Sequence, residues 1–148
     1  MADAKITEGG GVSMKAREYL GQAFRIDQRI NSKIEQANAL NALATKCTST
    51  VTGMPHNPNK GSDSMGDTIA KIVDLKEEIN RDIDALVDLK AEIYSVIRAI
   101  DNVECQTLLE LRYLSFMRWE EIAVHLNYGM ENVYRLHRKA LDMVSIPN

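Results

Sequence analysis

Tyr134, Arg135, Arg138 and Lys139 are the residues whose types and spacing most clearly offer chemistry. In a helix, positions 134 and 138 lie one turn apart, as do 135 and 139, so the four share one face. Two guanidinium groups and an ammonium on such a face can donate to phosphate oxygens or base edges. The aromatic ring can pack on phosphate or sugar, or simply cover the helix. The bland alternative is a solvated cationic face with no ligand.

Those residues need an element that presents them, and the stretch 108–141 has the form of one. Val103–Leu114 reads as a helix with Leu108, Leu109, Leu111 and Leu114 as candidates for its buried face. Ser115–Arg118 turns the chain. Trp119–Leu126 reads as a short second helix with Ile122, Ala123 and Leu126 inward, and Trp119 as an anchor between helical units. Ala123 suits a close helix crossing. Asn127-Tyr128-Gly129 is a tight turn, in which Asn tolerates the left-handed conformation. The third helix, Met130–Met143, buries Val133, Leu136, Ala140 and Met143 and leaves Tyr134, Arg135, Arg138 and Lys139 outward. Two helices joined by a tight turn form a helix-turn-helix, the device that lays its second helix in the major groove of DNA.

Other reactive residue types form no constellation. His56, His125 and His137 are scattered without metal-ligand spacing and read as surface residues. Asp82, Asp84 and Asp88 lack the glycine of a calcium loop and read as a solvated face. Gly9–Gly11 is not a phosphate loop, because no Lys-Ser/Thr pair follows. Cys47 and Cys105 lack CxxC spacing, so free thiols in a reducing cytoplasm are expected. No acid, base and nucleophile stand together. The expectation is a protein that is not an enzyme and uses no cofactor and no metal.

Composition sets the class. The chain of 148 residues is 45% apolar and 5% aromatic, enough for a core, and Ala, Leu, Ile, Glu, Lys and Arg favour helix. No alternating β-branched run appears, so the fold is expected to be all-α. No apolar run approaches the ~20 residues of a membrane span. The first 13 residues have no basic-then-apolar leader and are expected to be a disordered tail.

Residues 14–100 read as a long antiparallel, coiled-coil-like helical hairpin. Its first helix starts after Ser13 as N-cap and carries an apolar stripe through Leu20, Ala23, Ile26, Ile30, Ile34, Ala37, Leu40 and Leu43. Residues 51–66, with Pro55, Pro58 and three glycines, read as a mobile loop. Ser64 and Asp67 resemble a capping box for the second helix. That helix carries Ile69, Ile72, Leu75, Ile79, Ile83, Leu86, Leu89, Ile93, Ile97 and Ile100 at close to a 3.5-residue period. Residues 14–46 hold six basic and three acidic side chains, and 65–100 hold five basic and eight acidic, which favours pairing the two. A lone hairpin leaves apolar surface wet. The economical solution is a homodimer through the hairpin; the alternative is a monomer whose C-terminal helices cover the seam. Asp101 and Glu104 form a further D-x-x-E cap and start the C-terminal unit, 101–148.

Three segments carry a resemblance. L-E-L-R-Y-L at Leu109–Leu114, W-E-E-I-A at Trp119–Ala123 and N-V-Y-R-L-H-R-K-A-L at Asn132–Leu141 resemble region 4 of bacterial sigma-70-type factors. That region reads the −35 promoter element. The span 15–141 as a whole resembles small sigma-like, late-gene transcriptional regulators encoded by phages and prophages of Gram-positive bacteria. The chain departs from the sigma pattern at Arg118, Asn127 and Gly129. It also has no counterpart of the aromatic-rich region that melts promoter DNA, so it is not expected to act as a self-sufficient sigma factor.

The resemblance implies a sequence-specific DNA-binding transcription regulator in the host bacterial cytoplasm. Promoter DNA is its partner through Tyr134, Arg135, Arg138 and Lys139, and host RNA polymerase is a second partner the resemblance implies. Residues 101–148 hold five basic and seven acidic side chains, which predicts weak DNA binding by that unit alone. Arg17, Arg25, Arg29 and Lys33 of the first helix are candidates to add contacts. Two other classes fit the same elements: a small-terminase-like DNA-packaging component, and a protein-binding module or inhibitor that uses the helix-turn-helix as scaffold.

Overall fold

The structure, a computed structural model, describes residues 15–51 and 58–147, with side chains for 15–46 and 65–147. The expected tail, the Ser13 cap, His56 and the side chains of Cys47 and Ser64 lie outside these. The fold is all-α, with no strand among the described residues. Helix α1 (15–20) passes through one irregular turn at Gly21 into α2 (Gln22–Val51). Then come α3 (Pro58–Arg98), α4 (Val103–Leu109), a π-helical turn (Glu110–Leu114), α5 (Trp119–Leu126) and α6 (Met130–Met143).

Within the expected loop 51–66, Val51 and residues 58–66 are helix. Val51 ends α2 and Pro58 opens α3, which runs for 41 residues. Proline at the first helical position loses an N–H that had no partner there, and its fixed φ suits the helix. Gly61 and Gly66 each cost about 1 kcal/mol relative to alanine in a helix interior. A long helix, once nucleated, carries that cost.

The chain divides into two compact units, 26–85 and 1–25 with 86–148. In the first, α2 and α3 form the hairpin. Lys33 lies between Glu78 (3.4 Å) and Asp82 (2.7 Å), an instance of the charge pairing expected from the sequence. Ile30, Ala37 and Ile72 are buried, while Ile34, Leu43, Ile69 and Ile83 of the expected seam remain exposed. Two helices enclose only the residues that point directly at each other. The edges of each apolar stripe stay wet.

The second unit has a closed core. Leu20 and Ala23 meet Ile93 and Ile97 of α3, and the C-terminal helices add Leu108, Leu109, Ile122, Val133, Ala140 and Leu141. Fully burying each large aliphatic side chain contributes roughly 1.5–3 kcal/mol. The path of the chain breaks at 99–102, near the expected boundary at Asp101, but the core runs through that break. Asn102, not Asp101, caps α4: its side-chain oxygen accepts from the Cys105 N–H at 3.0 Å. Gln106 donates its side-chain amide to the carbonyls of Arg98 and Ile100, satisfying the end of α3. Cys105 is fully buried, and burial pushes its thiol above the ordinary value, so it is a core residue without nucleophilic character.

Candidate nucleic-acid interface

Helix α6 is positioned from both sides. It packs on α4 and on α5, and it buries Val133, His137, Ala140 and Leu141. The turn before it is set by Asn127, which adopts the left-handed conformation (φ 59°, ψ 44°). There the Tyr128 N–H donates to the Ala123 carbonyl at 3.0 Å, closing the end of α5. Arg118 and Gly129 head α5 and α6 without a side-chain cap, and acidic residues stand in both first turns, Glu120 and Glu121 in α5 and Glu131 in α6, where they suit the helix dipole.

The expected site residues share the outer face of α6. Arg135, Arg138 and Lys139 are exposed, and no ion pair engages them among the described residues. Tyr134 is 42% exposed and meets the Trp119 ring edge-on, with centroids 5.5 Å apart. Leu136 is half-buried, and Met143, expected inside, is exposed because the core ends at Leu141 and Val144. The first-helix cations separate. Lys33 is held by Asp82 and Glu78, whereas Arg17, Arg25 and Arg29 stay exposed.

His137 is a correction to the sequence reading: it is buried, not a surface residue. It follows Val133 by four residues and precedes Leu141 by four, so it falls on the apolar stripe. Its Nε2 and the Tyr113 hydroxyl share a hydrogen bond of 2.7 Å. Burial first, then the charges of Arg17, Arg112 and Arg138, lowers its pKa to about 4, so the imidazole is neutral at physiological pH. His125 is exposed, and no group of three or more metal-ligating side chains occurs among the described residues.

Trp119 anchors α5 to α6 and to the π-helical turn, within one unit. Its ring lies 4.5 Å from that of His137, and the Arg112 guanidinium sits over it at 4.5 Å. Arg112 also donates to the Met117 carbonyl at 2.9 Å, tying the π-turn to the segment that leads into α5.

Beside α6 lies a cleft of about 540 Å³, which the sequence reading missed. Arg17, Arg25, Arg112 and Arg118 line it, together with the rings of Phe24, Tyr113, Phe116, Trp119, Tyr134 and His137. No carboxylate is among its lining residues. The backbone is irregular at three places around it: Gly21, the π-turn, and Phe116, which has φ 58°. Such a φ is a genuine outlier for a bulky residue. The Phe116 ring is held between the Phe24 ring (5.6 Å, edge-on) and the Lys90 ammonium (4.6 Å). One part of this site was visible in the sequence: Arg17, Gly21 and Arg25 fall at steps of four, one face of a helix.

The comparisons with known proteins give a family. A family model described as a protein of unknown function, DUF1492, matches residues 56–145, and the chain belongs to that family. No curated protein and no solved structure matches the chain. No helix among the described residues is long and apolar enough to cross a membrane.

Proposed function

We propose that this DUF1492 protein is a sequence-specific DNA-binding transcription regulator of the sigma-region-4-like kind found in phages and prophages. Helix α6 enters the major groove. The observation that carries the reading is the two-sided character of α6: Val133, His137, Ala140 and Leu141 are buried, while Arg135, Arg138 and Lys139 are exposed side by side. The tight turn at Asn127 and the short α5 behind it supply the connection that such a reading helix needs. Tyr134, braced by Trp119, borders the same face. Cations on this helix divide between base edges, which specify, and phosphates, which position. Promoter DNA is the partner, with host RNA polymerase as a second contact, and the hairpin joins two copies. Local charge on α6 offsets the acidic balance of residues 101–148, and pairing two copies doubles the contacts.

The test is a gel shift or footprint on DNA upstream of the late genes adjacent to the protein's own gene, at two salt concentrations, with and without host RNA polymerase. Arg135→Ala, Arg138→Ala and Lys139→Ala together abolish specific binding and leave the thermal melt unchanged. Singly, a base-reading arginine costs about 1–3 kcal/mol and relaxes one position of the site. A phosphate contact weakens all sequences alike and lowers the salt slope by about one. Equal binding by the triple variant, or none by the native protein in any condition, overturns the proposal.

A further inference from the structure

The cleft beside α6 has a composition that its neighbours do not explain. Four guanidinium groups converge on it without a carboxylate in its lining. Arg118 is ion-paired to Glu121 at 3.5 Å, and Arg112 is committed to Trp119 and the Met117 carbonyl. Arg17 has no carboxylate partner among the described residues, and Arg25 donates only to the Glu18 carbonyl, at 3.3 Å. Arginine carries five donors in a planar fork suited to phosphate. The two lie two turns apart on one helix face, and the Arg25 guanidinium folds back toward Gly21, where a Cβ would stand 4.0 Å from its Nη1.

The remaining wall is aromatic. Phe24, Trp119 and Tyr134 border the cleft from α2, α5 and α6, and its volume lies within the range of small-molecule sites, ~300–1,000 Å³. An inorganic anion needs no aromatic wall and no space of this size. A purely apolar ligand needs no arginines. A planar ring joined to a phosphate uses both, since base–aromatic stacking and guanidinium–phosphate pairing are complementary.

We propose that this cleft binds a nucleoside phosphate, with Arg17 and Arg25 holding the phosphate and Phe24, Trp119 and Tyr134 receiving the base. The nucleoside phosphate is either a free nucleotide or one unit of a nucleic-acid strand. The site is distinct from the outer face of α6 formed by Arg135, Arg138 and Lys139, and Tyr134 lies where the two adjoin.

The experiment is titration calorimetry on the full chain, read in parallel by fluorescence of Trp119, the single tryptophan of the protein. The probes are the common ribonucleoside monophosphates, the matching nucleosides, inorganic phosphate and a short single-stranded oligonucleotide of mixed sequence. At least one nucleoside monophosphate or the oligonucleotide binds saturably and changes Trp119 emission. The matching nucleoside and phosphate alone bind at least about tenfold more weakly, as expected on losing a charge-assisted contact. A free nucleotide is the occupant if the oligonucleotide binds no tighter than the monophosphate; a strand is the occupant if it does. Arg17→Gln with Arg25→Gln weakens binding about tenfold or more with an unchanged melt, since both side chains are exposed. Each single variant gives part of that loss. The triple alanine variant of α6 retains binding of the monophosphate or oligonucleotide probe to the cleft, which separates this site from the proposed DNA face. No saturable binding by any probe, or equal binding by the native and doubly substituted proteins, overturns the assignment.

Discussion

His137 shows how a single residue departs from its nominal chemistry. Burial disfavours its cation, and Arg17, Arg112 and Arg138 add repulsion, so its pKa falls from 6.5 to about 4. The Tyr113 hydroxyl, itself pushed up by burial, is its hydrogen-bond partner. Below pH 6.5 the unfolded chain takes up a proton here that the folded chain refuses. Stability from this site is therefore complete above pH 6.5 and is lost as pH falls toward about 4. The full loss is on the order of 3 kcal/mol. Thermal melts between pH 7.5 and 4.5 fall more steeply for the native protein than for His137→Gln. NMR titration of the imidazole gives no protonation near pH 6.5. A normal titration at that pH would mean that the ring is solvated.

At the scale of the element, α5, its turn and α6 depend on two small features. Asn127 holds the left-handed conformation. Asn127→Gly is expected to be near neutral, because glycine adopts that conformation freely, whereas Asn127→Ala costs roughly 1–2 kcal/mol. Urea melts of the two variants measure the difference; equal stabilities would contradict the assigned turn. Ala123 is buried at the other end of the same turn. Ala123→Glu places a carboxylate in a space without a partner and disorders the C-terminal helices. Circular dichroism and loss of cooperative melting read this directly, and an unchanged melt would show that the crossing there is open. The π-helical turn is a feature that helical periodicity cannot announce. The Ser115 N–H donates to the Glu110 carbonyl at 3.0 Å, a five-residue step, and Arg112 locks the exit.

For the whole molecule, the expectation is a homodimer through the hairpin. Within residues 26–85, Ile34, Leu43, Ile69, Val73 and Ile83 are exposed, and pairing with a second copy would take such apolar surface out of water. Light scattering at micromolar concentration is expected to give twice the chain mass. Ile83→Asp, at a position 40% exposed, shifts the mass to the monomer and keeps the helical signal. Leu86 belongs to the unit of 86–148 and is half-buried against its core, so Leu86→Asp unfolds the protein instead of only dissociating it. A monomer mass for the native chain at these concentrations rules the dimer out.

Helix positions were legible in the sequence because they depend on local periodicity. Trp119–Leu126 and Met130–Met143 fall where their apolar spacing places them, and Asn127 is left-handed as its residue type suggests. The outer face of α6 was legible for the same reason: residues four apart must share a side. Helix ends were less so. Asp101 and Asn102 are both good caps, and only the packing of α4 selects Asn102; Pro58 looked like a breaker until it stood at a first helical position. The spacing of His137 from Val133 and Leu141 marked its apolar face, but its lowered pKa and the arginine-lined cleft belong to tertiary structure alone. They bring together residues from the two ends of the chain, Arg17 and Arg25 with Arg112, Trp119 and His137. No local pattern encodes a meeting across about a hundred residues; it follows from the shared core of α1, α3 and the C-terminal helices.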